Sequence, residues 1–442
     1  MKTDDISTEL ARCLGCRAKP CEKACPLGVS PHDFIAAARN GDWQTAAAQI
    51  AMRNPLPQTC GLVCPDRFCQ SACIRARIDK AVEIPCLQAK IMAKGGLPPL
   101  PLPASALPRR AAIVGGGPAG LGCLYEFLLN GWLVDLYEKS DKLGGAARLI
   151  PEYRLPKAVL DAEIARLVEN NRVTLHLNTN INDINALATG YDAVVLAIGE
   201  PTQRTLGIKG EEFCLSYKDF LGAFSEYPPQ AFSRDAHSPP AIAGAAGTFA
   251  NEPREPSEGG ECTKEVHDPT EVRFPHANSI TKFSRAAVVG GGEVALDCTL
   301  TLRRLGCPEV EMFVRRRKED MRIMARDYDE LAREGVMVRE LRSLTEVSRA
   351  GQTYSLKTVA NRINDEGRAE AVAGTEETLS GYDIVIMALG SYCSKEGLPE
   401  NIITAGDMTG GCGTIVQALA SGRDAARRAI AAINEKEKEE AK

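Results

Sequence analysis

Aromatic residues are scarce: 2 Trp, 11 Phe and 10 Tyr are spread over 442 residues. Long apolar runs are missing as well. None approaches the ~18–20 residues that a membrane span needs. The opening residues 1–9 are polar and hold no apolar segment, so no signal peptide is read and a cytoplasmic chain is expected. Neither sign of charge dominates: 53 Lys+Arg against 58 Asp+Glu leaves −5. That balance gives no reason to expect nucleic acid or an anionic membrane as partner. With 44% hydrophobic and 25% charged residues the chain lies well away from disordered compositions. At about 150 residues per domain, about three domains are expected.

Cysteine is what the chain has in excess. There are 16, and nine of them lie from Cys13 to Cys86. A disulfide framework needs an oxidising compartment and typically a small secreted domain. Neither condition is visible, so clustered cysteines point to metal.

Residues 1–96 read as a helical, cysteine-rich domain, with helical patterns over 32–39 and 44–52. The stretches 13–25 and 60–73 carry Gly and Pro and read as loops. Residues 97–109 are Pro-rich and form a linker. From Arg110 the pattern alternates β and α, with strands at 111–114 and 133–137 around a helical run over 121–130. A second strand–glycine–helix–strand unit begins at 286–289 and reaches 309–314. Two such units predict two doubly wound α/β domains. Between them, residues 228–280 hold eight of the 26 prolines and little periodicity, which reads as a surface insertion. It carries His237, His267 and His276, read as scattered solvated side chains rather than a metal site. Residues 435–442 read as a frayed, charged tail.

Gly115-Gly116-Gly117-Pro118-Ala119-Gly120 fits G-x-G-x-x-G between a strand and a helix. Gly115 makes the turn, the middle of the loop admits a pyrophosphate, and Gly120 packs helix on sheet. The helix N-terminus attracts the phosphate charge. Glu138 closes the second strand, where a carboxylate bonds ribose hydroxyls. Asp141-Lys142-Leu143-Gly144-Gly145 follows. Near the end stand Gly406-Asp407 and Gly413-Thr414, which resemble the second FAD motif of two-dinucleotide flavoprotein reductases. That resemblance implies FAD, with Asp407 on the ribityl chain and the next helix aimed at the isoalloxazine.

Gly290-Gly291-Gly292-Glu293-Val294-Ala295 fits G-x-G-x-x-A in the same context, with Gly290, Gly292 and Ala295 at the marked positions. No acid closes its second strand. Arg315, Arg316, Arg317 and Lys318 stand there, and cations suit a 2′-phosphate. NADPH is therefore expected before NADH, with a solvated basic face as the bland alternative. The similar runs YDAVVLAIG (191–199) and YDIVIMALG (382–390) mark the places where the chain leaves one domain for the other. The expected domains are then FAD-binding over 110–200 and 383–434, with an NAD(P)H domain over 201–382 inserted in it.

The cysteine spacings are C-x2-C-x4-C-x3-C-P from Cys13 through Cys16 and Cys21 to Cys25, and C-x3-C-P-x4-C-x3-C from Cys60 through Cys64 and Cys69 to Cys73. Zinc sites usually pair two short C-x2-C steps and stop at four sulfurs. Eight unevenly spaced cysteines suit two [4Fe–4S] clusters sharing ligands between the runs, with zinc or free thiols as alternatives.

The order CLGCRAKPCEKACP, TCGLVCPDRFCQSAC, GGGPAG, GGAARLIPEYRLP, GGGEVALD, FVRRRKEDM and AGDMTGG resembles the iron–sulfur flavoprotein family. That family includes the glutamate synthase small subunit, the N-terminal half of dihydropyrimidine dehydrogenase and the large subunit of NADH-dependent ferredoxin:NADP oxidoreductase. The resemblance implies that Cys13, Cys16, Cys21 and Cys73 hold one cluster. It implies that Cys25, Cys64, Cys69 and Gln88 hold the other, with Cys60 and Cys86 spare and either able to displace Gln88. Glutamine at this position leans toward the dihydropyrimidine type; a plain surface-helix role is the alternative.

The expected function is an NAD(P)H-oxidising electron-transfer subunit: hydride onto FAD, single electrons through the clusters, then to a larger catalytic or ferredoxin-like partner in a hetero-oligomer. No substrate domain remains once the motifs are placed. The alternatives are an NAD(P)H:ferredoxin oxidoreductase, with or without bifurcation, and a non-catalytic redox sensor. A disulfide reductase needs a reactive C-x-x-C, and Cys298 and Cys307 stand too far apart in sequence to form one.

Overall fold

The computed structural model describes residues 6–199, 202–224, 283–392, 402–410 and 413–440. The insertion expected at 228–280, with its three histidines, lies outside these residues. The chain divides into two compact units: Met1–Arg204 with Ile323–Tyr328 and Leu389–Lys442, and Thr205–Arg322 with Asp329–Ala388.

The first unit opens with six helices: α1 (Ile6–Ala11), α2 (Pro20–Ala24), α3 (Pro31–Arg39), α4 (Trp43–Ala51), α5 (Pro57–Val63) and α6 (Ile84–Gly95). Proline starts α2, α3 and α5, where its missing N–H costs nothing. The cysteine stretches read as loops are therefore partly helical, with Cys21 in α2 and Cys60 in α5. Strands β1 (Arg110–Val114), β2 (Leu133–Tyr137), β3 (Val173–His176) and β4 (Ala193–Leu196) follow, with helices α7 (Pro118–Leu129), α8 (Lys157–Val168) and α9 (Ile184–Ala188) between them. The near-continuous apolar β1 and β4 are buried on both faces, as parallel strands covered by helices must be.

The second unit holds a parallel sheet made from β6 (Leu215–Ser216), β7 (Arg285–Val289), β8 (Glu309–Val314), β9 (Met337–Glu340) and β14 (Ile384–Met387), in the order β6-β14-β7-β8-β9. Helices α10 (Tyr217–Phe224) and α11 (Glu293–Arg304) accompany it. An antiparallel sheet of β10 (Arg342–Ala350), β11 (Thr353–Ile363), β12 (Ala369–Ala371) and β13 (Glu377–Tyr382) completes this unit. Helix α12 (Ala325–Arg333) is divided between the units.

Back in the first unit, β5 (Thr202–Gln203) pairs with β15 (Ser391–Tyr392), and β16 (Ile403–Thr404) completes an all-parallel sheet in the order β16-β4-β1-β2-β3. The last helix, α13 (Ile415–Glu440), packs along α7. There the backbone carbonyl of Ala119 lies so near Gly422 that any Cβ would collide with it. The six opening helices share one apolar core with this sheet: Phe34, Ile50, Leu87 and Ile91 are buried together with Ile113, Tyr125 and Leu136.

Two sequence expectations are corrected. The return from the inserted unit falls at 388/389, not 382/383, because β14 pairs with β7 and β6 inside the second unit's sheet. Residues 435–440 are not frayed but continue α13, whose Lys and Glu residues are good helix formers. Among the described residues no helix is long and apolar enough to cross a membrane.

Candidate functional site

The first glycine loop sits at the carboxyl end of β1, at the centre of its sheet, where strand order reverses. Gly115 has φ +107°, and the carbonyl of Ala197 lies 2.4 Å from where a Cβ would stand, so glycine is required twice over. Gly145 approaches so closely that its Cβ would sit 2.9 Å from Gly117 Cα, and a Cβ on Gly406 would lie 2.7 Å from that of Ala119. Gly120 lies against the Gly115 carbonyl. The structure thus brings Gly115, Gly117, Gly120, Gly145 and Gly406 to one place, although they come from three parts of the chain. Glu138 is buried beside them; its carboxylate accepts the N–H of Gly116 at 2.8 Å and of Ser140 at 2.9 Å. Asp407 Oδ1 accepts the Gly413 N–H at 3.3 Å. Thr414 caps α13, its hydroxyl accepting the Gln417 N–H at 3.3 Å. This cradle of backbone without side chains, at a parallel-sheet switch point and facing helix N-termini, fits a dinucleotide such as FAD.

In the second unit Gly290 repeats the geometry of Gly115: φ is +147° and the carbonyl of Ala388 is 2.3 Å from the Cβ position. Ala295 is fully buried where helix meets sheet. Beyond β8 the backbone is pinned, as the Asn361 amide donates to the Arg315 carbonyl and the Leu341 N–H to that of Arg316, both at 3.0 Å. Arg317 is engaged with Asp320 and Glu319. Among the described residues, the guanidinium groups of Arg315 and Arg316 pair with no carboxylate. Arg322, not singled out from the sequence, bridges to Gly292, and its N–H bonds the Gly291 carbonyl at 3.0 Å. Its place in the run FVRRRKEDMR was the only available signal.

Two cavities lie in the cysteine-rich part of the first unit. One is lined by Cys13, Cys16, Cys21 and Cys73, together with His32 and Arg75. The other is lined by Cys25, Cys64, Cys69, Gln88 and also Cys60. Cys86 lines neither. No three His, Cys, Asp or Glu side chains among the described residues form a site for a single metal ion. Four sulfurs spread around a cavity fit a polynuclear cluster better than one tetrahedral ion with sulfur at ~2.3 Å. Burial pushes the Cys21 thiol up to about 11, with Cys13 and Cys73 adding to it. Cys69 is raised well above an ordinary thiol, first by burial and then by Cys64, Cys25 and Cys21. Cys21 lines the first cavity, and Cys25 and Cys69 line the second. Cluster insertion must displace these thiol protons.

Gln88 is buried, not a surface-helix residue, and its Nε2 donates to the Pro57 carbonyl at 2.6 Å. A carbonyl oxygen only accepts, so the amide presents its nitrogen to Pro57. Oε1 is then the amide atom that Pro57 does not engage. The same cavity is bounded by Val416, in the first turn of α13 beyond Thr414. Val416 carried no signal in the sequence.

Residues 1–95 match the family model described as dihydropyrimidine dehydrogenase domain II, 4Fe–4S cluster, and residues 241–416 match pyridine nucleotide-disulphide oxidoreductase. These matches and the fold define the class: the chain is an NAD(P)H-dependent oxidoreductase carrying FAD and [4Fe–4S] iron. Within that class its resemblance to the iron–sulfur flavoproteins is borne out. It is 28% identical to the NAD-dependent dihydropyrimidine dehydrogenase subunit PreT of Escherichia coli K12, over 95% of this chain and 92% of that one. It is 27% identical to the small chain of the NADPH glutamate synthase of the same strain, over 94% and 89%. The solved structure of FprA from Mycobacterium tuberculosis in complex with NADPH matches with a TM-score of 0.56 at 18% identity, over 76% of this chain and 86% of that one, which supports the fold.

Proposed function

We propose that this chain is the electron-input subunit of a hetero-oligomer, oxidising NADPH and handing single electrons to a partner subunit that holds the substrate site. The observation that carries this reading is the shared boundary of the second cysteine cavity and the start of α13, at Val416. When bound, the flavin accepts two electrons as hydride and can release them singly to iron–sulfur clusters.

The chain's own residues set the arrangement. The Gly115–Gly120 loop, Glu138, Gly145, Gly406, Asp407 and Thr414 hold FAD. The Gly290–Ala295 loop holds the nicotinamide nucleotide, and Arg315 and Arg316 engage its 2′-phosphate. Cys25, Cys64, Cys69 and Gln88 hold the cluster beside α13. Cys13, Cys16, Cys21 and Cys73 hold the outer one. A neutral amide leaves its cluster less negative than a fourth thiolate would. The dihydropyrimidine dehydrogenase type is favoured over the glutamate synthase type by Gln88 and by the similarity to a subunit of that name.

Iron and acid-labile sulfide analysis tests the cluster count. Two [4Fe–4S] clusters give about eight of each per FAD. In Gln88→Ala one cluster's EPR signal changes in chemically reduced samples while FAD content stays. Unchanged signals from both clusters would remove Gln88 from the ligand set.

A further inference from the structure

Helix α5 begins without a cap of its own. Leu56 occupies the N-cap position and offers no side-chain acceptor. The N–H groups of the first turn have no partner within the helix, and leaving them buried and unbonded is costly. Glu163, on α8, supplies the acceptor from 105 residues away. One carboxylate oxygen takes the Gln58 N–H at 2.5 Å and the other takes the Thr59 N–H at 3.1 Å. One turn on, Arg166 donates to the carbonyls of Pro55 at 3.4 Å and Pro98 at 3.2 Å. Helix α8 thus grips the segment Pro55–Thr59 at both its N–H and C=O groups.

That segment is also the one that orients Gln88. Pro57 stands between the two gripped positions, and its carbonyl holds the Gln88 amide nitrogen at 2.6 Å. Helices α5 and α6 touch at the neighbouring residue: a Cβ on Gly61 would meet the Ala89 nitrogen at 2.5 Å. A shift of the first turn of α5 therefore reaches Gln88 directly. Glu163 is 2% exposed, so nothing from solvent replaces it.

We propose that Glu163 is a positioning residue for the cluster held beside α13: it caps α5 from α8, and through the Pro57 carbonyl it fixes which atom Gln88 turns toward iron. This rests on the ligand set proposed above. Burial pushes the Glu163 carboxyl up to about 7, while the Thr59 and Gln58 hydrogen bonds and the charge of Arg166 pull it down.

The test is an EPR-monitored redox titration of the FAD- and iron-loaded chain, comparing wild type with Glu163→Gln, Glu163→Ala and Gln88→Ala. Glu163→Gln keeps the shape but presents an NH2 group to one of the two N–H donors. We expect it to bind FAD and iron as wild type does, and to shift the midpoint potential of one cluster only, the one whose signal Gln88→Ala changes. If Glu163→Gln leaves both potentials and both spectra unchanged while Gln88→Ala alters one, the inference is wrong and the ligand set stands. If Gln88→Ala alters neither cluster, the ligand set falls and the inference with it. A uniform disturbance of both clusters in Glu163→Gln would show a general packing role and also overturn the proposal. Should Glu163→Ala fail to fold, Glu163→Gln decides alone.

Discussion

Glu163 illustrates how one buried side chain can couple stability to pH. Its folded pKa is raised to about 7 from an ordinary value of 4.5, chiefly by burial. A group with a raised folded pKa contributes fully below its unfolded pKa, and the contribution is lost as pH climbs toward the folded value. Between about pH 4.5 and 7 the metal-free wild type should therefore lose up to about 3 kcal/mol relative to Glu163→Gln, which has nothing to titrate. Denaturant midpoints of the two proteins at pH 5 and pH 8 measure this; a constant difference would show that the carboxyl is not perturbed. Arg315 and Arg316 make a second prediction. A charge-assisted hydrogen bond is worth roughly 1.5–3 kcal/mol. Arg315→Ala combined with Arg316→Ala should accordingly raise KM for NADPH by about tenfold or more and leave KM for NADH nearly unchanged. An equal rise for both nucleotides would reduce the arginines to a solvated face.

At the scale of elements, close backbone approach decides what can change. Helices α5 and α6 meet at Gly61, where a methyl group would overlap the Ala89 backbone. Overpacking of this kind costs typically ~1–3 kcal/mol. Gly61→Ala should lower the thermal midpoint and disturb the cluster next to Gln88 before the outer one; a wild-type midpoint with both clusters intact would contradict the packing described. The elements also show what could be read in advance. The two glycine loops were legible because strand, turn and helix are contiguous and each glycine answers a local demand. The return to the first unit was misplaced because YDIVIMALG looks like YDAVVLAIG, while pairing decides membership: β14 lies between β6 and β7. The tail escaped for the same reason, since charge alone does not separate a solvated helix from a frayed end.

Across the whole chain, the least legible features are those that join distant segments. The spacing of the cysteines indicated clusters, but their split between two sites came from a resemblance. The structure groups the same residues around two cavities. Nothing in the sequence tied Glu163 to the Gln58 and Thr59 N–H groups, or placed Val416 and Gln88 on one cavity, because no local pattern encodes proximity across more than a hundred residues. In the proposed function the cysteine region conducts electrons between a flavin and an outside acceptor. The most direct measurement is anaerobic rapid mixing of NADPH with the loaded chain and a one-electron acceptor protein, for wild type and Cys73→Ser. Flavin absorbance should bleach at the same rate in both, whereas Cys73→Ser, lacking the outer cluster, should deliver electrons to the acceptor far more slowly. Delivery at the wild-type rate without that cluster would contradict the proposed function.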